Sequence, residues 1–236
     1  MDPGLPLVVA ANRDERYERP AVAMAVHRSA GPRILGGRDL RAGGTWLAVN
    51  EHGVVAGLTN QPSPAGRDPS KRSRGELPLL LATHADAGEA VAAFVEECSP
   101  ADFNPCWLLV GDRRSLFFVE VAGERPTVRA LGPGLHVLEN RPLEAPSAKA
   151  DHVRARLAAA EPRTELTDLL TSVLADHTAP DRPLSAACVH TDGYGTRSSV
   201  LVCVPHDRHP EVWVADGPPC RHPFQDVTNW WENGRG

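Results

Sequence analysis

Ala11-Asn12-Arg13-Asp14-Glu15-Arg16-Tyr17-Glu18-Arg19-Pro20 sets a dense run of ionisable side chains directly behind an apolar stretch near the N-terminus. Charges this close can build a polar site, or, as Arg13 and Asp14 would do most simply, form an ion pair at the surface. Asn60 closes Ala56-Gly57-Leu58-Thr59-Asn60, and Asn140 closes Val137-Leu138-Glu139-Asn140. An Asn after a strand commonly caps a turn, so neither is diagnostic alone. The five cysteines, Cys98, Cys106, Cys188, Cys203 and Cys220, form no CxxC pair and no His-interleaved zinc spacing. They read as free thiols of a reducing compartment, with Cys106, Cys188 and Cys203 buried in apolar runs. His206 and His209 flank a predicted hairpin turn, face solvent and want a third ligand nearby, so no metal is expected. Nor is any cofactor: Gly36, Gly37, Gly43 and Gly44 could suggest a phosphate cradle, but no Gly-Lys-Ser/Thr follows, and they read as turn glycines.

These residues must be held by a scaffold of 236 residues, a length that suits one layered α/β domain spanning 1–236. The formal net charge of -5 leaves no basic field for a phosphate backbone, which excludes nucleic acid as a partner. Lys71-Arg72-Ser73-Arg74 is a short solvated loop. No charged-then-apolar leader opens the sequence and no apolar run reaches the ~20 residues of a membrane span, so a cytoplasmic location is expected.

Leu5 to Ala11 predicts a buried strand feeding a polar turn, and Val22 to His27 a second strand. Thr45 to Asn50 and Val54 to Asn60 predict a hairpin. Leu77 to Leu81 suggests a short helix, and Asp86-Ala87-Gly88-Glu89 has the capping-box spacing of another. Strands are predicted near Cys106 to Val110, Leu116 to Val121, Thr127 to Leu131 and Leu135 to Leu138. Helices are predicted near Ser147 to Ala160 and Thr164 to His177, the second strongly amphipathic. Strands follow near Ala186 to His190, Ser198 to Val204 and Glu211 to Ala215, with an irregular tail from about 216 whose Trp230 and Trp231 cover apolar surface. Hairpins interrupted by helix pairs argue for α+β: antiparallel sheets with helices outside.

The opening Asn-Arg-Asp-Glu resembles the signature of the NRDE-motif family, also called the transport and Golgi organization family. The resemblance continues, in order, through Gly36-Gly37-Arg38-Asp39, Gly43 to Leu47, Leu58-Thr59-Asn60, Arg74 to Leu77 and Gly193 to Ser198. That family is similar to N-terminal-nucleophile hydrolases of the penicillin V acylase and bile salt hydrolase type. The resemblance implies a four-layer αββα sandwich of two mainly antiparallel sheets. It also implies cleavage of linear amides by an N-terminal Cys whose own α-amine is the base. On that pattern Asp14 orients the amine, Asn60 supplies the oxyanion hole, Asn140 holds substrate or amine, and Arg197 polarises the nucleophile. Arg13, Trp46 and Tyr194 are the matching substrate-binding candidates. The four catalytic candidates are then expected to converge on one pocket.

The sequence departs from the pattern at three places. Met1-Asp2-Pro3 stands where the family begins Met-Cys, so no nucleophile is present. Ala11 replaces the Arg of the acylases, and Trp107 stands where the family more often has Asn. A start assigned too late would explain the first; the apolar Leu5 to Ala11 strand should then show an open edge or groove beside Leu7 to Ala10. The competing implication is a binding or trafficking protein for lipid-related or haem-like small molecules, and a third is a structural homologue without a functional pocket.

Overall fold

A computed structural model describes residues 4–27, 30–161 and 165–233. Leu7–Arg16 forms β1, Ala21–His27 β2, Ile34–Asp39 β3, Leu47–Asn50 β4 and Val55–Asn60 β5. Helices α1 (Glu76–Leu81) and α2 (Ala87–Glu97) follow, then β6 (Cys106–Gly111), β7 (Leu116–Val121) and β8 (Thr127–Ala130). Helices α3 (Ala148–Ala158) and α4 (Leu166–Leu174) precede β9 (His190–Thr191), β10 (Tyr194–Val204), β11 (Glu211–Ala215), β12 (Gln225–Asp226) and α5 (Trp230–Asn233). Strands β2 to β8 make a seven-stranded antiparallel meander, and β1, β10, β11 and β12 run side by side in a second sheet with β9 paired to β10.

The alternation of apolar residues along each strand produces the layers. On β5, Val55 faces the opposite sheet while Ala56 faces the helices. Val49 and Val55 of the large sheet meet Val200, Val202 and Val212 of the small one, with Leu7 and Val9 packed alongside. On the far side of the large sheet, Leu77 and Leu81 of α1 and Val91 and Phe94 of α2 cover Leu108, Val110 and Val119. Complete burial of one such side chain stabilises by roughly 1.5–3 kcal/mol. Helix α4 lies on β1 and β10, and α3 lies on α4. The result is the α+β, four-layer αββα sandwich that the sequence implied. Among the described residues no helix is long and apolar enough to cross a membrane.

Local signals act as read at Asp86, whose carboxylate accepts from the Glu89 amide at 2.8 Å to cap α2, and at Ser147, which caps α3. Cys106, Cys188 and Cys203 are buried, and His206 and His209 are exposed beside the β10–β11 turn. The expected open edge is present: among the described residues β1 pairs with β10 alone.

Five expectations need correction. Gly36 and Gly37 lie inside strand β3, not in a turn. A Cβ on Gly37 would stand 2.0 Å from the Trp46 ring and one on Gly36 2.6 Å from the Leu47 carbonyl, so close packing selects these glycines. Gly43, with φ +78°, is a true turn glycine. The polar turn expected after Ala11 begins only at Tyr17, because β1 continues to Arg16 along β10. Leu135 to Leu138 is not a strand; β8 is the exposed edge of its sheet and the chain leaves it at Gly132-Pro133-Gly134. Of Ala186 to His190 only His190 is strand, since Cys188 and Val189 bond instead to the Asp176 carbonyl and the Thr196 hydroxyl. The tail is not wholly irregular: β12 pairs with β11, and α5 places Trp231 in the core between the sheets. Thr164, the predicted start of α4, lies outside the described residues.

Candidate active site

Each letter of the Asn-Arg-Asp-Glu signature has a separate task because strand geometry sends alternate side chains to opposite faces of β1. Asn12 turns to the helical side, donating to the carbonyls of Leu174 and Ala187, both at 2.8 Å, and accepting from Ser199 Oγ at 2.5 Å. It ties the C-terminus of α4 and the segment before β9 to the sheet. Arg13 turns to the other sheet, with its guanidinium 4.4 Å above the Trp46 ring and Glu15 3.9 Å away. Burial pulls its pKa below the usual guanidinium value, and Nη1 is buried without a hydrogen-bond partner. Glu15 also lies 3.7 Å from Arg19, which is paired at 2.5 Å with Asp39.

Asp14 accepts a 2.6 Å hydrogen bond from the Thr196 hydroxyl. Burial raises its pKa above the ordinary carboxylate value, opposed by that bond and by the charges of Lys149 and His190. Asp14 sits opposite Thr196 and Arg13 opposite Ser198, so Arg197 is the bulged residue of the β1–β10 ladder. A bulge re-aims its side chain. Arg197 is half-buried, donates to the Arg16 and Tyr17 carbonyls, and stands 5.8 Å over the Tyr17 ring. Gly195 leaves room for the Tyr17 hydroxyl, which a Cβ there would meet at 2.4 Å. Tyr194, half-buried opposite Arg16, is pushed up to about 12 by burial and by the carboxylates of Asp14 and Glu15.

The second group lies at the ends of β5 and β6. The Asn60 amide donates to Asn140 Oδ1 at 3.0 Å, joining residues 80 positions apart. Both line a cleft of about 240 Å³ with Gln61, Arg67, Arg74 and Asn104. Asn104 fixes one wall by accepting from the Asp68 amide and donating to its carbonyl, both at 2.8 Å. Arg74 donates to the Pro105 carbonyl at 3.0 Å, and burial lowers its pKa. Gln61 Oε1 and Thr59 Oγ1 are buried without partners. Cys106 pairs with Asn60 in the ladder, but burial pushes its thiol up to about 12, and Cys98 rises to about 11 for the same reason. Neither is a ready thiolate nucleophile. Trp107, where the sequence pattern favours Asn, is buried and donates to Glu120 at 3.1 Å.

The structure therefore brings Asn60 to Asn140, Asp14 to Thr196, and Arg13 to Trp46. Arg197 and Tyr194 sit at the start of β10 beside the end of the signature strand, and among the described residues no hydrogen bond or ion pair joins them or Asp14 to the Asn60–Asn140 pair. Sequence reasoning did not single out Asn12, Thr196 or Asn104, all of which fix candidate residues or their surroundings. Thr196 lies inside the Gly193 to Ser198 block, and its spacing to Asp14 becomes readable only through the strand register.

A sequence model described as Transport and Golgi organisation 2 matches residues 1–214. The chain is 32% identical to the Transport and Golgi organization protein 2 homolog of Bos taurus and 30% identical to that of Homo sapiens, covering 86% of this chain and 83% of each relative. Among solved structures it is similar to a penicillin V acylase from Agrobacterium tumefaciens, with TM-score 0.50, 12% identity and coverage of 91% and 80% of the two chains. It is also similar to a mutant conjugated bile acid hydrolase from Clostridium perfringens, with TM-score 0.51, 12% identity and coverage of 95% and 93%. A Caenorhabditis elegans ortholog of N-acylethanolamine-hydrolyzing acid amidase gives TM-score 0.53 at 14% identity, covering 82% and 90%. These likenesses define the N-terminal-nucleophile hydrolase fold, and by sequence the chain belongs to the Transport and Golgi organisation 2 family.

Proposed function

We propose that this protein is a cytoplasmic, single-domain amide-hydrolase scaffold that binds a small acyl-amide-like molecule and cleaves it only when a Cys stands at the free N-terminus. The observation that carries this reading is the Asn60–Asn140 pair at the polar cleft. One Asn orders the backbone of the other, and the exposed side-chain amide of Asn60 at the cleft is the donor assigned to an oxyanion. Asp14, half-buried on the open-edged strand β1, is the carboxylate that would hold an α-amine placed along that edge. Arg13, Trp46, Tyr194 and Arg197 serve substrate binding and polarisation.

The test compares two proteins against a panel of linear N-acyl amides: the chain itself, and a version extended before Leu5 by Met-Cys and an apolar strand. The first is expected to leave every amide intact and the second to hydrolyse at least one. Asn60→Ala in the extended protein should lower kcat by about 10²–10³. Equal turnover by both proteins, or an unchanged rate in the Asn60 variant, overturns the proposal.

A second reading is binding or trafficking of a lipid-related or haem-like molecule without turnover; Cys106, paired with Asn60 in the ladder, supplies no substitute nucleophile because burial pushes its thiol up to about 12. It expects quenching of tryptophan fluorescence by such a ligand and no hydrolysis even after the Cys-bearing strand is restored.

A further inference from the structure

On the helical side of the small sheet, away from the Asn60–Asn140 pair in the chain, four side chains meet that no sequence spacing connects. His177, Cys188, His190 and Cys220 each offer one ligand atom, and these atoms all lie within 4.8 Å of one another. Cys188 Sγ is 3.7 Å from Cys220 Sγ and 3.5 Å from His190 Nε2, which is 3.3 Å from Cys220 Sγ. A tetrahedral ion with Zn–S of about 2.3 Å and Zn–N of about 2.0 Å requires S–S edges of about 3.8 Å and S–N edges of about 3.5 Å. The three measured edges match these within about 0.3 Å. A disulfide would use the two thiols but leave the convergence of both imidazoles on them without a purpose.

The surroundings are those of a ligand set. His177 Nδ1 lies 3.2 Å from the Cys188 carbonyl oxygen, which can only accept, so Nδ1 carries the proton and Nε2 the lone pair. Metal-binding imidazoles are commonly oriented by such a bond from the second nitrogen. The Cys188 amide donates to the Asp176 carbonyl at 2.8 Å, and the Asp176 carboxylate is itself held by His152 and Arg156 of α3. An open cleft partly lined by His177, Cys188 and His190 supplies an entry path. Cys220 lies beyond the 1–214 span matched by the family, so the family match alone does not account for the complete set.

We propose that His177, Cys188, His190 and Cys220 form a tetrahedral S₂N₂ zinc site that clamps the segment between β11 and β12 to the loop between α4 and β9. Four protein ligands leave no open position, so the role is structural.

The test titrates the reduced, metal-free full-length protein with Co²⁺ and then Zn²⁺. Expected are the intense visible bands of tetrahedral Co²⁺ with thiolate charge transfer, saturation at one ion per chain, displacement by Zn²⁺, and a rise in Tm on Zn²⁺ binding. Cys220→Ser and His177→Ala should each weaken binding by more than about 100-fold, while Cys98→Ser leaves it unchanged. Circular dichroism checks folding; His177 is at the surface, so its variant provides the test if Cys220→Ser unfolds. Weak octahedral bands, a tetrahedral spectrum that survives either ligand substitution, or a Cys188–Cys220 disulfide that binds no cobalt once reduced overturns the proposal.

Discussion

Two carboxylates, one buried and one half-buried, one on each sheet, are supported in opposite ways. Asp112, at the β6–β7 turn, accepts from the amides of Ala87, Arg114 and Ser115 at 2.7 to 2.9 Å and from the Ser115 hydroxyl at 3.2 Å. Burial opposes its ionisation, yet these donors hold its pKa below the usual carboxylate value. Asp14 on β1 has one donor, Thr196, and burial wins. The first is a structural anion whose lone pairs are filled. The second keeps unused acceptor capacity in a low-dielectric place, the condition under which a carboxylate binds an amine or moves a proton.

The contrast can be broken by substitution. Asp112→Ala strands three amides, one of them the first of α2, and should cost about 3 kcal/mol in urea unfolding. Its pH signature has a definite sign: with the folded pKa lowered, the stabilisation is complete above the ordinary carboxylate range and disappears as pH falls through the folded value. The gap between wild type and Asp112→Asn should therefore close on acidification. Asn12→Ala on the small sheet leaves the Leu174 and Ala187 carbonyls without their donor and should cost about 2 kcal/mol, with earlier hydrogen exchange at the end of α4.

Asp14→Asn should change stability at neutral pH by less than about 1 kcal/mol, because an amide oxygen still accepts from Thr196. Since the folded pKa of Asp14 is raised, wild type loses stability as pH climbs from the unfolded to the folded value, and the Asn variant should lack that decline. An Asp14→Asn cost as large as that of Asp112→Ala would erase the distinction between the two carboxylates. Arg197→Ala, removing exposed contacts to the Arg16 and Tyr17 carbonyls, should shift stability by no more than about 0.5 kcal/mol.

What the sequence made legible divides along the same physical line. Asp86 and Ser147 announce helix starts because a cap is a bond between near neighbours. The β4–β5 hairpin is equally local, with Leu47 facing Gly57 across it. Strand β3 was hidden because Gly36 and Gly37 answer to Trp46 and Leu47, contacts that exist only after folding. Leu135 to Leu138 has strand composition but no neighbour to pair with, and composition cannot supply one. In the candidate site, the family pattern pointed to Asn60 and Asn140, whereas the pinning by Asn12 depends on contacts more than 160 residues away and the Asp14–Thr196 bond on a bulged register. His177, Cys188, His190 and Cys220 stand 11, 2 and 30 residues apart, a spacing that resembles no motif.

Packing at Gly44 also bears on both groups of candidate residues. A Cβ at Gly44 would stand 2.4 Å from the Gly75 carbonyl carbon, and the Thr45 amide donates to the Gly75 oxygen at 2.9 Å. Main chain touches main chain there with no side chain to cushion it. Trp46, beneath Arg13, follows two residues after one glycine, and Arg74 of the cleft immediately precedes the other. Any side chain added at Gly44 would therefore push apart backbone that borders both the Arg13–Trp46 stack and the Arg74 wall of the cleft, so one substitution would disturb the two groups of candidate residues together.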